Sequence, residues 1–593
     1  MSYDGTVMRA VSLELNRNLK GARIDKIYQP ARNEILLLLK KPGCTHRLLL
    51  SSAAQEAGIY FTSHPVNNPL EPPLFCMLLR KHLEGGKVLS CLQQGLERVM
   101  EITCEVVDEL GETAKRTLII EVMGKYSNII LVDPGRDVII DAIHRVTANM
   151  SRYRQVLPGL PYQPPPPQEK TLPWDVDQDS FYRKLLSFPL TQNLNKILLA
   201  AFSGFGPQTV SEIVFRSGLE DSTPLEYCGE YELSRLWRSF SQVTCDIKNG
   251  SFSPEVVIRD QTPLAFSAIS MTQYPKEWRR EFPSISEAAD CYFHSKKTVA
   301  LFNQKKNDLF QVIKKETLRC EKKAGLLLGT IREAEECGNY QLWGELLIAH
   351  LHTLRPGKEA EVVNYHDPGG STVKIPLDED LSIMDNAQLY FQKYRKAQNA
   401  ARQAGHQYEE TSSELEYLAS LAAALENAAD LHELEEIKTE MQEAGYIKTS
   451  PGRAGKTKHA APAASLPQKL VIDGWEVYLG KNNKQNDFLV TKIARPEDIW
   501  LHTKNIPGSH VLVRNPAGRE LPAGVLEKAA LLAAYHSRGR LSANVPVDYT
   551  PKKHVWKRKG ARPGMVHYEN QRTVHVTATE EKIKAILDSS RAL

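Results

Sequence analysis

No stretch of this chain is apolar enough to span a bilayer; nothing approaches the roughly 18–20 consecutive apolar residues a membrane helix needs. Its nine cysteines (Cys44, Cys76, Cys91, Cys104, Cys228, Cys245, Cys291, Cys320, Cys337) contain no CxxC pair. That spacing excludes a zinc ribbon or a disulfide framework and predicts free thiols in a reducing cytosol. HExxH, GxSxG and DxDxDG are absent, so the usual signatures of a metalloprotease, a nucleophile elbow and a calcium loop are missing. No catalytic constellation is visible, and no cofactor or metal is expected. Gly455-Lys456-Thr457 resembles the end of a phosphate loop, but Ser450 stands where the first glycine is needed and no apolar strand precedes it. Charge of one sign is not in excess: the formal net charge is +4, so a nucleic-acid surface has to be local. The opening Met1-Ser2-Tyr3-Asp4 is polar and lacks a signal-peptide core.

What is present is a long chain of ordinary globular composition: 593 residues, 42% hydrophobic and 25% charged. It is too long for one core, so several domains are expected. The organising stretch lies in the middle. A Lys-rich segment, about 296–336, carries Lys296-Lys297, Lys305-Lys306, Lys314-Lys315 and Lys322-Lys323. A later one, about 387–445, is acidic and repeats Leu418, Leu421, Leu425, Ala428, Leu431, Leu434, Ile437 and Met441 at steps of three and four. That repeat is a one-sided helical seam, and the opposite charges favour pairing the two arms antiparallel. At about 1.5 Å per residue the arms would reach about 50–60 Å from the body. Lys pairs about nine residues apart point to alternate sides of a helix. They therefore predict a solvated face that meets the acidic arm, not a single basic track.

Around this spacer the chain reads as multidomain α+β. Residues 1–170 form an α+β domain: an opening helix from Val7 to Leu19, a hairpin of Ile35–Leu39 and Arg47–Leu50 turning at Lys41-Pro42-Gly43, a helix from Phe75 to Leu83, and further strands up to Ile143. Residues 171–290 read as helical. There Gly204-Phe205-Gly206-Pro207 suggests a helix-hairpin-helix whose backbone N–H groups could hold a phosphate; a purely structural turn is an equal reading. Residues 291–447 are the coiled coil, with a small insert at about 338–385. A flexible linker occupies 448–467, and residues 468–593 form a second α+β domain.

The densest candidate chemistry lies in that last domain. Lys552, Lys553, Lys557 and Arg558 interleave with Tyr549, His554 and Trp556, which suits RNA: charge for phosphates, ring faces for unstacked bases. His502, Lys504, Ser509 and His510 sit in an Asp498–Val511 segment, and Asn482, Asn483 and Lys484 add small donors beside a turn. His502 and His510 read more readily as satisfied polar histidines than as a metal pair. In the first domain, Glu97-Arg98 and Glu121-Val122-Met123-Gly124-Lys125 interrupt the strands. Arg98 and Lys125 can contact phosphate, and the carboxylates can accept from base amines; a structural ion pair is an equal reading.

At these residues the chain resembles the NFACT family and, within it, the bacterial ribosome-quality-control branch. The resemblance runs the length of the chain. It includes Glu121 to Asn128, Tyr153-Arg154 to Pro161, Ser284 to Asp290, Gly344 to Leu347, Asn386 to Phe391, Asn482 to Asn486, Asp498 to Val511 and Val547 to Tyr568. It implies an N-terminal domain related in fold to formamidopyrimidine-DNA-glycosylase N-domains, a helix-hairpin-helix region, a coiled coil with a middle insert, and an RNA-binding domain. It also implies a role: binding split 50S subunits that still carry peptidyl-tRNA, and recruiting alanyl-tRNA for mRNA-independent alanine tailing. In that role the ribosome makes the peptide bonds, no membrane is involved, and a small RNA-binding helper protein is a further expected partner. Carried over, Glu97, Arg98, Glu121, Val122, Met123 and Lys125 handle tRNA. Asn482, Asn483, Lys484, His502, Lys504, Ser509, His510, Lys552, Lys553, Lys557 and Arg558 contact rRNA or other RNA. Glu97 replaces the family's usual aspartate, which changes reach but not charge. The proline and glutamate of glycosylases are not at Ser2 and Tyr3, which disfavours base excision. The competing readings are a fibronectin-binding surface adhesin and a DNA-repair or nuclease-like enzyme.

Overall fold

The computed structural model describes residues 3–107, 111–448 and 466–591. The Gly455-Lys456-Thr457 motif and nearly all of the expected linker lie outside them. The chain divides into two compact units, Met1–Ala300 and Leu301–Leu593. No helix among the described residues is long and apolar enough to cross a membrane.

The first unit opens with α1 (Gly5–Leu19), β1 (Arg23–Ala31), β2 (Glu34–Lys41), β3 (Cys44–Ser51), β4 (Gly58–Phe61), α2 (Leu74–Leu83), β5 (Lys87–Gln93), β6 (Val99–Val107), β7 (Thr113–Glu121), β8 (Asn128–Asp133) and β9 (Val138–Ala142). The strands form one nine-stranded antiparallel sheet in the order β4-β3-β2-β1-β5-β6-β7-β8-β9. The expected hairpin is β2–β3, with Lys41 opposite Cys44 and Gly43 at a φ of 84° in the turn. Strands β1, β4 and β5 were not legible: Arg23–Ala31 mixes charge and proline and has no apolar run to mark it. The core packs Val11, Leu15 and Leu19 of α1 and Leu79 and Leu83 of α2 against Ile24, Leu37, Leu50 and Ile102 of the sheet.

Helices follow: α3 (Gln178–Leu186), α4 (Leu194–Ala201), α5 (Pro207–Arg216) and α6 (Glu230–Asn249). The helical reading of 171–290 fails after α6. Residues 255–281 are instead a three-stranded sheet of β10 (Glu255–Arg259), β11 (Thr262–Ser267) and β12 (Arg279–Glu281), in the order β11-β10-β12. Asp260 and Gln261 take φ values of 48° and 63°, the left-handed pair that a two-residue hairpin turn requires. Then α7 (Ile285–Glu336) begins.

The glycine turn between α4 and α5 does hold an anion, but the anion is the protein's own. Asp4 caps α1 by accepting from the Val7 N–H at 2.9 Å. Its second oxygen accepts from the Gly206 N–H at 2.9 Å and from the Thr209 hydroxyl at 2.7 Å. One carboxylate thus caps two helix N-termini. The backbones meet closely, with the Gly5 N–H donating to the Gly204 carbonyl at 2.8 Å. A Cβ on Gly5 would lie 2.1 Å from the Leu96 carbonyl oxygen, so no larger residue fits there. The reading of this turn as a phosphate holder is therefore corrected: its N–H at Gly206 is spent on a buried side chain.

The second unit contains the rest of α7, then α8 (Gly338–Ala349), β13 (Glu359–Val363), β14 (Thr372–Pro376), α9 (Ile383–Asn427) and α10 (Leu431–Glu443). Helices α7 and α9 pair antiparallel. Lys306 donates to the Glu426 carbonyl at 2.8 Å, and thirteen residues on Arg319 meets Glu414 at 3.4 Å, twelve residues back. Leu309, Ile313 and Cys320 pack against Tyr417, Leu418, Leu421 and Leu425. The acidic arm is not one helix, as its unbroken seam suggested. It stops at Asn427 and restarts at Leu431. There Asp430 accepts from the Glu433 N–H at 2.8 Å while Glu433 accepts from the Ala429 N–H at 2.7 Å, a variant of the reciprocal box in which two side chains serve orphan donors.

The unit closes with β15 (Gln468–Ile472), β16 (Trp475–Leu479), α11 (Asn483–Phe488), β17 (Ile499–Thr503), β18 (Val511–Val513), α12 (Ala523–Tyr535), β19 (Val545–Pro551), β20 (Val555–Trp556), β21 (His567–Tyr568), β22 (Arg572–Val576) and α13 (Glu580–Arg591). Six strands form a sheet in the order β15-β16-β18-β17-β19-β22, covered by Ala529, Leu532 and Ala533 of α12 and Ile583 of α13.

The shared cap yields a prediction. Asp4→Ala strips partners from Val7, Gly206 and Thr209 at once, and each lost partner costs about 1–3 kcal/mol where the group is buried. Hydrogen exchange should accelerate by at least tenfold at residues 5–8 and at 206–210 together. Acceleration at 5–8 alone would mean that Asp4 is not the tie.

Candidate nucleic-acid interface

The two N-domain segments singled out from sequence converge. Val99 of β6 stands opposite Glu121 of β7, and the Val122 N–H donates to the Arg98 carbonyl at 2.9 Å. Glu97, Arg98, Met123 and Lys125 therefore share one corner of the sheet. Glu97, Arg98 and Met123 are half-buried and Lys125 is exposed, its ammonium 4.9 Å from the centre of the Tyr126 ring.

Glu121 and Val122 are fully buried, so neither side chain reaches a bound RNA; this corrects their reading as direct contacts. Glu121 closes β7 after Leu118, Ile119 and Ile120. A carboxylate taken out of water there must be paired. Arg154 supplies two bonds, Nη1 to Oε1 at 2.7 Å and Nη2 to Oε2 at 2.5 Å, and the Tyr162 hydroxyl donates a third at 2.9 Å. Burial and the neighbouring carboxylate push the Tyr162 hydroxyl's pKa well up, so it remains a donor. Arg154 also donates to the Gln163 carbonyl at 2.8 Å. The fork and the tyrosine fasten the segment 151–163 to the end of β7. Sequence reasoning gave Arg154 and Tyr162 no role. The signal was the lone carboxylate in an apolar run, which demands a cation from elsewhere in the chain.

In the second unit the structure redistributes the expected RNA contacts. Asn482, Asn483 and Lys484 face α10. Lys481 meets Glu433 at 2.7 Å, Asn482 donates to Glu436 at 2.7 Å, Asn483 to Glu440 at 3.0 Å, and Lys484 to Glu443 at 2.9 Å. Residues 433, 436, 440 and 443 lie on one helical face. The acids expected to meet the Lys-rich arm thus dock the last domain onto α10, while Glu435 still meets Lys305 at 3.7 Å. Arg562 completes the contact, stacked 4.7 Å from the Tyr417 ring centre and bonded to the Tyr446 hydroxyl. Asn482, Asn483 and Lys484 are corrected from RNA contacts to an internal joint. Glu440 is 2% exposed; it also accepts from the Tyr417 hydroxyl at 2.7 Å, and its Oε2 has no partner among the described residues. Burial raises its pKa.

Ser509 and His510 are buried. His510 presents its edge to Trp500, centroids 5.2 Å apart, and His502 stacks on the same indole at 5.7 Å. Burial lowers both pKa values, that of His502 to about 4, so both rings are neutral at physiological pH and bring no charge to phosphate. Lys557 is bonded to Asp487 at 2.5 Å and Lys553 to Glu497 at 3.3 Å. Lys504 and Arg558 are exposed and Lys552 is half-buried. Trp556, 44% exposed, stacks on His567 with centroids 6.1 Å apart. Of the expected contacts, Lys504, Lys552 and Arg558 make no salt bridge among the described residues.

Two family descriptions match the chain: NFACT N-terminal and middle domains over residues 4–460, and NFACT protein RNA binding domain over residues 471–570. The chain belongs to the NFACT family. It is similar to the Rqc2 homolog RqcH of Bacillus subtilis (strain 168), 36% identical across 98% of this chain and 99% of that one. The Rqc2 homolog RqcH of Streptococcus suis (strain 05ZYH33) is 34% identical across 99% and 100%. Among solved structures, a fibrinogen binding protein from Staphylococcus aureus is 31% identical over 49% of this chain and 98% of that one, with a TM-score of 0.41.

Two outcomes follow from these contacts. Arg154→Ala leaves Glu121 buried and unpaired, a loss of about 3–5 kcal/mol; hydrogen exchange should rise in 146–163 and at the end of β7, and Arg154→Lys should restore only part of the protection. For Glu440, a folded pKa above the ordinary glutamate value makes its contribution to docking complete below pH 4.5 and lost as pH rises through the raised value. Glu440→Gln should flatten that pH dependence, read as exchange at 482–488; an unchanged profile would show that Glu440 does not titrate there.

Proposed function

We propose that this protein acts in ribosome quality control. In this reading it binds large 50S subunits that retain peptidyl-tRNA after a stalled ribosome has split. It brings in alanyl-tRNA, so that the nascent chain gains C-terminal alanines without mRNA and is marked for degradation. The observation that carries the reading is the end-to-end similarity to RqcH proteins, over 98% of this chain and 99% of the Bacillus subtilis relative.

The geometry gives the reading physical content. Peptide bonds would form at the ribosome's own centre, so the protein needs grip and position, not a nucleophile. Arg98 and Lys125 at one sheet corner offer phosphate contacts, and Glu97 beside them can accept from a base amine. Glu121 acts from inside by holding the neighbouring segment in place. In the last domain, Lys504, Lys552, Arg558 and the Trp556–His567 pair supply charge and ring faces for rRNA. We place the protein in the cytoplasm with these partners, and assign it no cofactor.

The test separates grip on the subunit from grip on tRNA. Arg98→Ala should abolish alanine tailing in a reconstituted reaction while the protein still co-sediments with large subunits. If it no longer sediments with them, Arg98 belongs to the subunit interface. Wild-type protein that binds neither orphaned 50S particles nor charged tRNA would end the proposal.

A further inference from the structure

Beside the corner formed by Glu97–Arg98 and Glu121–Lys125 lies a groove of about 360 Å³ whose lining includes Arg152, Tyr153, Arg154, Gln155, Leu160 and Gln163. That volume falls in the range of about 300–1,000 Å³ typical of small-ligand sites. Its wall is fixed from below. Arg154 is forked onto buried Glu121 and bonded to the Gln163 carbonyl, and Val146 and Val156 exchange backbone bonds at 3.0 and 2.9 Å. The far edge is tied to β9, where the Ile139 N–H donates to the Leu160 carbonyl at 2.7 Å and the Gly159 N–H donates to the Ile139 carbonyl at 2.8 Å, although much of the segment has no regular secondary structure.

On this fixed wall stand two groups that the fold does not use. Tyr153 is 57% exposed, and its ring makes no aromatic or cation contact among the described residues. Arg152 is exposed and makes no ion pair among the described residues. A solvated tyrosine next to an arginine without an ion pair among the described residues suits one kind of ligand: a planar base that stacks on the ring while the guanidinium meets its phosphate. Gln155 and Gln163 carry amides, which can pair with the donors and acceptors of a base edge. An acidic peptide would use Arg152 but gains nothing from the ring and the two amides.

We propose that this groove binds a single unstacked nucleotide of the RNA held at the neighbouring corner, with Tyr153 as the stacking platform and Arg152 on the phosphate. The site rests on the reading of that corner as tRNA-facing. Unpaired loops are the parts of a tRNA that offer such a base.

The experiment measures binding of the full-length protein to an unmodified tRNA-Ala transcript across a salt series. Tyr153→Ala should weaken binding about 5- to 150-fold, the range for losing one base stack, and leave the slope of log affinity against log salt unchanged. Tyr153→Phe should bind within about twofold of wild type, since the ring face is retained. Arg152→Gln should flatten the slope by about 0.7, the loss of one phosphate contact on a single strand. If Tyr153→Ala binds as wild type does while Arg98→Ala loses affinity, the groove proposal is overturned and the tRNA reading of the corner stands. If an acidic peptide occupies the groove and the transcript does not compete with it, the nucleotide assignment is likewise overturned. Wild-type protein that binds no transcript overturns both. Because Tyr153 and Arg152 are exposed, unchanged hydrogen exchange across 146–163 confirms that each variant keeps its fold.

Discussion

A carboxylate removed from water has to find donors, and this chain uses that requirement repeatedly to join distant segments. Asp4 joins the start of α1 to the turn before α5. Glu121 joins the end of β7 to Arg154 and Tyr162. Glu212, fully buried on α5, accepts from Arg216, Thr272 and the Gln273 N–H. Asp498, also fully buried, collects Arg514 and the Arg495 and Asn515 N–H groups. Each carboxylate draws at least one partner from a separate segment: Gly206 for Asp4, Arg154 for Glu121, Thr272 for Glu212 and Arg514 for Asp498. Such pairs add little net stability compared with apolar packing. Their effect lies in specificity, because the alternative arrangement leaves a charge buried alone.

The joint between α10 and the last domain follows the same rule on a larger scale. Four glutamates at steps of three and four meet Lys481, Asn482, Asn483 and Lys484. A basic and amide-rich turn of this kind is also what a phosphate backbone would attract. In this protein the carboxylates occupy it, whereas Lys504, Lys552 and Arg558 make no salt bridge among the described residues and Trp556 stays 44% exposed. The distribution of charge between partner and interior is thus set by which lysines have already been neutralised, and not by how many there are.

Much of the architecture was legible because it rests on local rules. The β2–β3 hairpin follows from two apolar runs around Pro42-Gly43. Helix α2 follows from the amphipathic run of Phe75 to Leu83. The antiparallel pairing of the central arms followed from the seam and the opposite charge. What failed had a physical cause. The strands of 255–281 were hidden in a helical neighbourhood because Asp260-Gln261 is a turn only once both residues adopt positive φ. The break at Ala428–Asp430 was hidden because the apolar repeat continues across it, although Asp430 with Glu433 carries the spacing of a capping box.

Sequence alone determined the things that depend on neighbours a few residues apart: the helices, the principal hairpin, the central pair of arms, and the clustering of cations and rings in the last domain. It also marked Glu97, Arg98 and Glu121 as polar interruptions of strands. Only the tertiary structure decided which of those groups face water. Glu121 and Arg98 are twenty-three positions apart in number and adjacent in space, yet one is fully buried and the other half-buried. That assignment depends on Arg154, thirty-three residues further on, and no periodicity or composition can specify so distant a donor, because the pairing exists only once the sheet has closed.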